Sequence, residues 1–173
     1  RGKMTGHIES FIGPIKNIMV VDDDQSHRQL MAEILQPLGF NVIQSKDANA
    51  CLSSYSQNAI DMFLLDISMP GINGWELLDL LRKNGVKVPI IMASADAYET
   101  PEYLPERETS VRQYDDYITK PIREVVLLDK VANLLDIEWR YKTDAYRQNR
   151  PNINLTEALI ETEPKDNKLS GHD

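Results

Sequence analysis

The chain is poor in the features that several protein classes require. Its 173 residues include one cysteine, Cys51, so no disulfide can form within the chain, and a single thiol suits a reducing compartment such as the cytoplasm. No apolar run approaches the roughly 18 residues that a membrane-spanning helix needs, and no signal-peptide pattern is seen. Basic residues number 19 against 27 acidic ones, and the net charge of −8 argues against a nucleic-acid partner. We therefore expect a cytoplasmic domain without direct contact to membrane or nucleic acid.

The remaining composition is typical of one folded domain. Hydrophobic residues make up 42% of the chain and charged residues 27%, which is enough apolar material for a core. We expect the domain to cover residues 15–137. Segment 1–14 carries Gly and Pro without a clear period and is interpreted as a linker, and the polar segment 138–173 is interpreted as a largely irregular tail.

Short apolar segments alternate with amphipathic ones along this domain. The predicted strands are residues 16–21, 41–45, 61–66, 87–94 and 115–119. The predicted apolar face of the first helix contains Leu30, Ile34 and Leu38, with Met31 and Leu35 beside them, and that of the last helix contains Ile122, Val125, Leu128 and Leu135. Pro101 and Pro105 interrupt the segment where a fourth helix belongs, so we expect that helix to begin only near Pro105. The alternation predicts an α/β fold with a parallel sheet covered on both faces.

Several conspicuous residues are assigned no functional role. Cys51, Trp75 and Trp139 are interpreted as packing residues of the core. The histidines are scattered, and none has a setting typical of phosphotransfer; they are His7, His27 and His172.

Carboxylates gather where the predicted strands end. Asp22 and Asp23 follow the first strand, and Asp66 ends the third. Ligands of an open parallel sheet bind beyond the carboxyl ends of the strands, where the strand order reverses. If these two strands are neighbours, three like charges share one pocket and need a counter-charge. A hard divalent cation supplies that charge and prefers oxygen ligands.

Two further residues point to phosphate chemistry. Ser94 ends the fourth strand with a hydroxyl, and Lys120 follows the fifth strand directly before Pro121. A metal, an ammonium group and a hydroxyl around one carboxylate form a cradle for a phosphoryl group. Because a carboxylate can act as the nucleophile, the sequence predicts transfer of a phosphoryl group to an aspartate.

Four segments resemble the signature segments of the response-regulator receiver domain of two-component signalling. They read IMVVDDD, LLDISMPGINGWELL, PIIMASA and DDYITKPI, and the resemblance covers residues 16–136. It implies a flavodoxin-like (βα)5 doubly wound sheet with strand order 2-1-3-4-5. It also implies a switch that takes a phosphoryl group from a phosphohistidine and then controls a partner or an attached kinase.

The resemblance implies roles at the acidic end of the sheet. Asp66 matches the phospho-accepting aspartate. Asp23 matches a direct ligand of Mg²⁺ (or Mn²⁺), and Asp22 matches an acid that acts mostly through water. The backbone carbonyl of Ser68 would complete the protein ligands.

Other roles implied by the resemblance concern the response to phosphorylation. Ser94 matches the switch hydroxyl, Tyr117 the aromatic that changes rotamer with it, and Lys120 the lysine that pairs with the phosphate. In the family, the bond from this lysine to the following proline is usually cis. Ser68 and Asp96 match positions that tune the lifetime of the acyl phosphate.

Two alternatives in function remain open at this point. DDDQS also satisfies the D-x-D-x-S pattern of haloacid-dehalogenase phosphatases, although the pair at residues 115–116 precedes a strand instead of following one. The second alternative is a pseudo-receiver, a binding module that keeps the fold without being phosphorylated.

The flanking segments bear on the parent protein and its partners. GHIESFIGPIKNIMVVDD and LLDIEWRY resemble segments around the receiver at the C-terminal end of hybrid sensor histidine kinases, so we expect a kinase core upstream in the parent chain. A stand-alone regulator is the alternative. The expected partner is a histidine kinase or a histidine phosphotransfer domain, and a homodimer remains open.

Overall fold

The computed structural model describes residues 7–100 and 113–142. A compact unit spans Ile8–Arg140. The strands are β1 (Ile8–Ile12), β2 (Asn17–Val21), β3 (Asn41–Ser45), β4 (Met62–Asp66), β5 (Ile90–Ser94), β6 (Asp116–Thr119) and β7 (Glu138–Tyr141). The helices are α1 (Gln25–Leu35), α2 (Ala48–Ser54), α3 (Gly74–Lys83) and α4 (Glu124–Leu135). Within the described ranges, no helix is both long enough and apolar enough to cross a membrane.

Strands β2 to β6 form one parallel sheet with the order β3-β2-β4-β5-β6. This is the order 2-1-3-4-5 expected for the five strands of the domain, so the prediction of a flavodoxin-like fold is confirmed. The strand order reverses at β2: β3 is added on one side of β2, and β4 is added on the other side. Val21 pairs with Leu65, and therefore the residues that follow these two strands meet at the same edge.

The pleat of the strands divides the core between the two faces of the sheet. Ile18 and Val20 pack with α1 and α4 on one face, whereas Met19 and Val21 pack with α2 and α3 on the other. Successive side chains of a strand point to opposite faces, so a strand buried on both faces is apolar at every position. β4 and β5 are buried along their whole length, which explains why they read as continuous apolar runs.

The start of α3 packs directly against the end of β4. The N–H of Gly74 donates to the carbonyl oxygen of Ile67 at 2.8 Å, and a Cβ at position 74 would lie 2.3 Å from the carbonyl oxygen of Asp66. Only glycine fits this contact. Asn73 and Glu76 form a capping box that satisfies the first N–H groups of the helix. The NGWE segment thereby fixes the backbone around Asp66.

Two helical faces differ from those predicted. Leu30 is 45% exposed and Val125 is 60% exposed, although both lie on the predicted apolar faces. The buried residues of the two helices are Met31, Ala32, Leu35, Leu127, Leu128 and Val131. Apolar residues lie on more than one side of each helix, and spacing alone does not reveal which side faces the sheet.

Two strands lie where the sequence predicted a linker and an irregular tail. β1 and β7 pair in a two-stranded sheet. Phe11 stacks on Phe40 with ring centroids 4.5 Å apart, and Trp139 meets both rings edge-on at 6.5 and 6.2 Å. Aromatic packing between distant segments therefore orders residues whose local pattern is weak. The helix expected near Pro105 and the tail beyond residue 142 lie outside the described residues.

The aromatic cluster generates a prediction about stability. Phe11→Ala should lower the free energy of unfolding by about 3 kcal/mol, because it removes a buried ring from a packed cluster. Ile12→Ala, at a neighbouring side chain that is 52% exposed, should cost about 0.5 kcal/mol or less. Urea unfolding measures both changes. Equal, small losses for the two variants would mean that β1 is not part of the folding unit.

Candidate functional site

Three carboxylates meet where β2 and β4 end. Asp22 and Asp66 are buried, with 5% and 4% of their surface exposed, and Asp23 is exposed beside them. One carboxylate oxygen from each of the three residues lies within 4.8 Å of the corresponding oxygens of the other two. The structure therefore brings these three residues together, as the sequence predicted. A set of three carboxylates fits a hard divalent cation such as Mg²⁺, which binds oxygen ligands and neutralises their charge.

The ammonium group of Lys120 enters the pocket from the end of β6. Its Nζ atom lies 2.9 Å from Asp22 Oδ2 and 3.2 Å from Asp66 Oδ1. The N–H of Lys120 donates to the carbonyl oxygen of Ser94 at 2.7 Å, which ties the segment to the neighbouring strand β5. The bond to Pro121 is cis, as the resemblance implied. Three strand ends thus supply the acids and the base of one cluster.

Hydrogen bonds to the start of α1 fix the orientation of Asp22. Its Oδ1 atom accepts the N–H of Asp24 at 2.9 Å, which leaves Oδ2 for Lys120. Arg28 Nη1 donates to the carbonyl oxygen of Asp22 at 2.7 Å. Asp24 also caps α1 by accepting the N–H of Ser26 at 2.8 Å. The turn that starts α1 therefore orients the acid that pairs with the lysine.

Burial and like charge shift the titration of Asp66. Burial and the neighbouring Asp22 raise the pKa of Asp66 from 3.8 to about 6, although the charge of Lys120 lowers it. Burial opposes the charge on Lys120, but its bonds to Asp22 and Asp66 outweigh this and raise the pKa of the lysine. Two buried acids with one ammonium leave an excess of negative charge, which favours the binding of a further cation.

The hydroxyl of Ser94 points into the turn that follows β5. Ser94 is fully buried, and its Oγ atom lies 3.3 Å from Glu99 Oε2. The same oxygen contacts the carbonyl oxygen of Asp96 and accepts the N–H of Asp96 at 3.2 Å. The structure describes no hydrogen bond from Ser94 to Asp66. The predicted switch hydroxyl thus lies at the end of its strand, and its described hydrogen bonds are all made to the turn.

Tyr117 belongs to a row of aromatic rings, the aromatic column, on the face of the sheet that packs against α2 and α3. Its ring meets Tyr114 edge-on at 6.5 Å, and Tyr114 meets Trp75 at 5.8 Å. Lys130 Nζ lies 6.0 Å from the centre of the Tyr117 ring. Trp75 is buried, and its Nε1 has no hydrogen-bond partner within the part of the chain that the structure describes. The expectation that Trp75 is a packing residue agrees with this column.

Two other predicted positions lie in the segments that follow β4 and β5. Ser68 is exposed in the loop after β4, and Asp96 is exposed at the start of the turn after β5. Asp96 Oδ1 accepts the N–H of Tyr98 at 3.0 Å, so this carboxylate caps a short 3-10 turn over Ala97–Glu99. Their implied roles in acyl-phosphate lifetime stay predictions.

Sequence reasoning missed His27. It was assigned no role, but its Nδ1 atom lies 3.2 Å from Lys120 Nζ and 3.3 Å from Asp22 Oδ2. Its Nε2 atom lies 3.7 Å from Asp24 Oδ2. Because α1 begins at the pocket, a residue in its first turn has to lie beside the acids. That position, and not the residue's spacing from other histidines, was the signal that could have found it.

An apolar cavity opens beside the acids and the lysine. Its walls include Leu30 and Met31 of α1 and Ile122 after the cis proline, with Asp66 and Lys120 at one end. This cavity explains why Leu30 is exposed: its side chain lines the approach to the acids instead of the core. The site is therefore open to a partner on the side of α1.

Comparison with known proteins identifies relatives of the chain. The sequence model of the response regulator receiver domain matches residues 18–132. The chain is 37% identical over 120 residues to the CAI-1 autoinducer sensor kinase/phosphatase CqsS of Vibrio cholerae, a match that covers 68% of this chain and 17% of that protein. It is 30% identical over 160 residues to the regulatory protein VanRc of Enterococcus gallinarum, covering 91% of this chain and 63% of that protein.

A solved structure shares the fold. Response regulator protein TrrA of Thermotoga maritima, crystallised in complex with Mg²⁺ and BeF, is 30% identical to the chain with a TM-score of 0.61. The likeness covers 69% of this chain and 98% of that one. In contrast, the chain spans less than two thirds of the length of CqsS and VanRc.

The raised pKa of Asp66 predicts a pH-dependent stability in metal-free protein. Between about pH 4 and pH 6 the folded state holds a proton that the unfolded state releases, so the free energy of unfolding falls as the pH rises through this window. Asp66→Asn removes this loss of stability, because asparagine does not ionise. The variant should match the parent near pH 4 and exceed it by about 2 kcal/mol at pH 8.

Urea unfolding in a chelator measures this difference at several pH values. Asp129→Asn, at an exposed residue of α4, is the control and should show no pH-dependent gain. A gain from Asp66→Asn that is the same at pH 4 and pH 8 would contradict the electrostatic account.

Proposed function

The chain belongs to the response regulator receiver family, and from this premise we propose that Asp66 accepts a phosphoryl group from a phosphohistidine. The observation that carries the proposal is the position of Asp66, buried at the end of β4 with Lys120 Nζ 3.2 Å from its Oδ1 atom. A buried carboxylate at a strand end is costly unless it is paired. Such a cost is consistent with a nucleophile held ready for reaction.

The proposed reaction is a direct transfer between two side chains. A carboxylate oxygen of Asp66 attacks phosphorus, the bond from phosphorus to the donor imidazole nitrogen breaks, and the electron pair leaves with the imidazole. The ammonium of Lys120 already lies beside Asp66, and it would pair with the negative charge of the transferred phosphoryl oxygens. The chain's contribution is mainly position and charge, as is general for phosphoryl transfer.

The acidic cluster would hold Mg²⁺ or Mn²⁺ during this transfer. Asp23 and Asp66 would act as direct ligands with the carbonyl of Ser68, and Asp22 would act through water. A bound cation would supply positive charge against the phosphoryl oxygens. The mutual approach of the three carboxylates within 4.8 Å supports this assignment.

The proposed response is a local rearrangement at Ser94 and Tyr117. Ser94 would turn from Glu99 and Asp96 toward the phosphoryl group, and Tyr117 would change rotamer in step. Ser94 ends β5 beside the strand that carries Asp66, since Ala93 pairs with Asp66 in the sheet.

We propose that the donor approaches across α1. The apolar cavity walled by Leu30, Met31 and Ile122 leads to Asp66 and suits the apolar surface around a phosphohistidine. The donor would be a histidine kinase or a phosphotransfer domain in the cytoplasm. The match to a sensor kinase supports a hybrid-kinase parent, with a stand-alone regulator as the alternative and dimerisation as a separate question.

Phosphorylation of Asp66 is tested by mass. Acetyl phosphate with Mg²⁺ should add about 80 Da, the mass of one phosphoryl group on one carboxylate, and a chelator should prevent the addition. Asp66→Asn should abolish labelling while keeping the fold, because asparagine is nearly isosteric. Asp129→Asn is the control and should label like the parent.

The outcome separates the alternatives. Labelling of the Asp66→Asn protein at the parent's level would place the acceptor elsewhere. A folded parent that never labels would be a pseudo-receiver.

The lifetime of the acyl phosphate tests Asp96. Its carboxylate is exposed in the turn after β5, where it could orient or repel an attacking water. Asp96→Ala should therefore change the rate of phosphate loss by about threefold or more at unchanged labelling. An intact-mass time course after removal of the donor measures this rate. An unchanged lifetime would remove Asp96 from the mechanism.

A further inference from the structure

The turn after β5 provides every described hydrogen bond of the Ser94 hydroxyl. Ser94 Oγ lies 3.3 Å from Glu99 Oε2 and also contacts the carbonyl oxygen of Asp96. The N–H of Asp96 donates to the same Oγ atom at 3.2 Å. Ser94 is fully buried, so these protein contacts are not replaced by solvent. The turn therefore accepts a hydrogen bond from the hydroxyl and also donates one to it.

Two acceptors share the single proton of this hydroxyl. The carbonyl of Asp96 and the carboxylate of Glu99 are both within reach, and a serine has one O–H to donate. A hydrogen bond to an ionised carboxylate is about twice as strong as one between neutral groups. Glu99 therefore adds to the hold that the Asp96 carbonyl alone would exert on Ser94.

The backbone around Glu99 is fixed at both ends of its turn. The N–H of Glu99 donates to the carbonyl oxygen of Asp96 at 3.1 Å, and Asp96 Oδ1 caps the turn at Tyr98. After the turn, the buried Thr100 donates its hydroxyl to the carbonyl oxygen of Ala97 at 2.6 Å. The approach of Glu99 to Ser94 thus follows from an ordered turn and not from a loose surface side chain.

We propose that Glu99 is a positioning residue that holds the hydroxyl of Ser94 away from Asp66 until a phosphoryl group draws it across. This inference deepens the proposed function, because it concerns how readily the same site takes up its phosphoryl group. A phosphoryl group on Asp66 and the carboxylate of Glu99 compete for one proton. Weakening the acceptor at position 99 should therefore favour the phosphoryl-bound state.

The affinity of the site for beryllofluoride, an analogue of the phosphoryl group, tests this competition. In calorimetric titrations at saturating Mg²⁺, Glu99→Gln should tighten binding about threefold and Glu99→Ala about tenfold, the range expected for losing one hydrogen-bond partner. Glu9→Gln, which removes an exposed carboxylate from β1, is the matched control and should bind like the parent.

A double-mutant cycle shows whether Glu99 acts through Ser94. In a Ser94→Ala background, Glu99→Gln should change the affinity by less than about 1.5-fold, because no hydroxyl is left to hold. A threefold gain in both backgrounds would mean that the charge of Glu99 acts through space, and the proposal would be wrong. If Ser94→Ala binds beryllofluoride too weakly to measure, titration with Mg²⁺ alone shows whether the charge of Glu99 acts through space. Glu99→Gln should leave this affinity unchanged, and a threefold rise would overturn the proposal.

Failure of the proposed function and failure of the role of Glu99 give different results. If the parent neither binds beryllofluoride nor labels at Asp66, the proposed function is wrong. If the parent binds beryllofluoride and both Glu99 variants bind it with the parent's affinity, only the role of Glu99 is wrong.

Discussion

The pairing of Lys120 with two buried aspartates is the interaction around which the rest of the structure is arranged. Lys120 Nζ lies 2.9 Å from Asp22 and 3.2 Å from Asp66, and all three groups are largely removed from water. Each of these charges alone would cost several kcal/mol to bury. The sheet order brings the ends of β2, β4 and β6 to one edge, and so the acids and the base reach each other.

This pairing is incomplete, and its incompleteness suits a transfer site. One ammonium faces two buried acids and an exposed third, so burial and like charge keep the pKa of Asp66 near 6. A fully neutral cluster would have no need of a further cation. The negative excess favours a divalent ion, and Asp66 lines the apolar cavity beside α1. Gly74 and the Asn73 cap fix the backbone next to Asp66.

The parts of this arrangement that could be predicted are those set by local pattern. β4 is apolar at each position before Asp66 because it is buried on both faces, and the acids follow because strand ends are where a parallel sheet meets solvent. The β1–β7 pair was missed because Phe11, Phe40 and Trp139 come from three distant segments whose packing no local period records. Leu30 was placed on the apolar face of its helix because helical spacing does not distinguish a core wall from a cavity wall. The direction of Ser94 depends on a rotamer and a turn, and neither is written in the spacing of motifs.

The central claim is that Lys120 neutralises part of the charge of the carboxylate pocket until a cation arrives, and titration with Mg²⁺ tests it most directly. The positive charge of Lys120 reduces the negative charge that Asp22 and Asp66 present to a cation, so Lys120→Met should raise the affinity for Mg²⁺ by at least about threefold. Lys130→Met breaks a similar pair, Lys130 with Asp116 at 2.9 Å, outside the pocket and should leave the affinity unchanged. Weaker or unchanged Mg²⁺ binding in Lys120→Met would contradict the account, since the lysine would then not be the charge that the metal replaces.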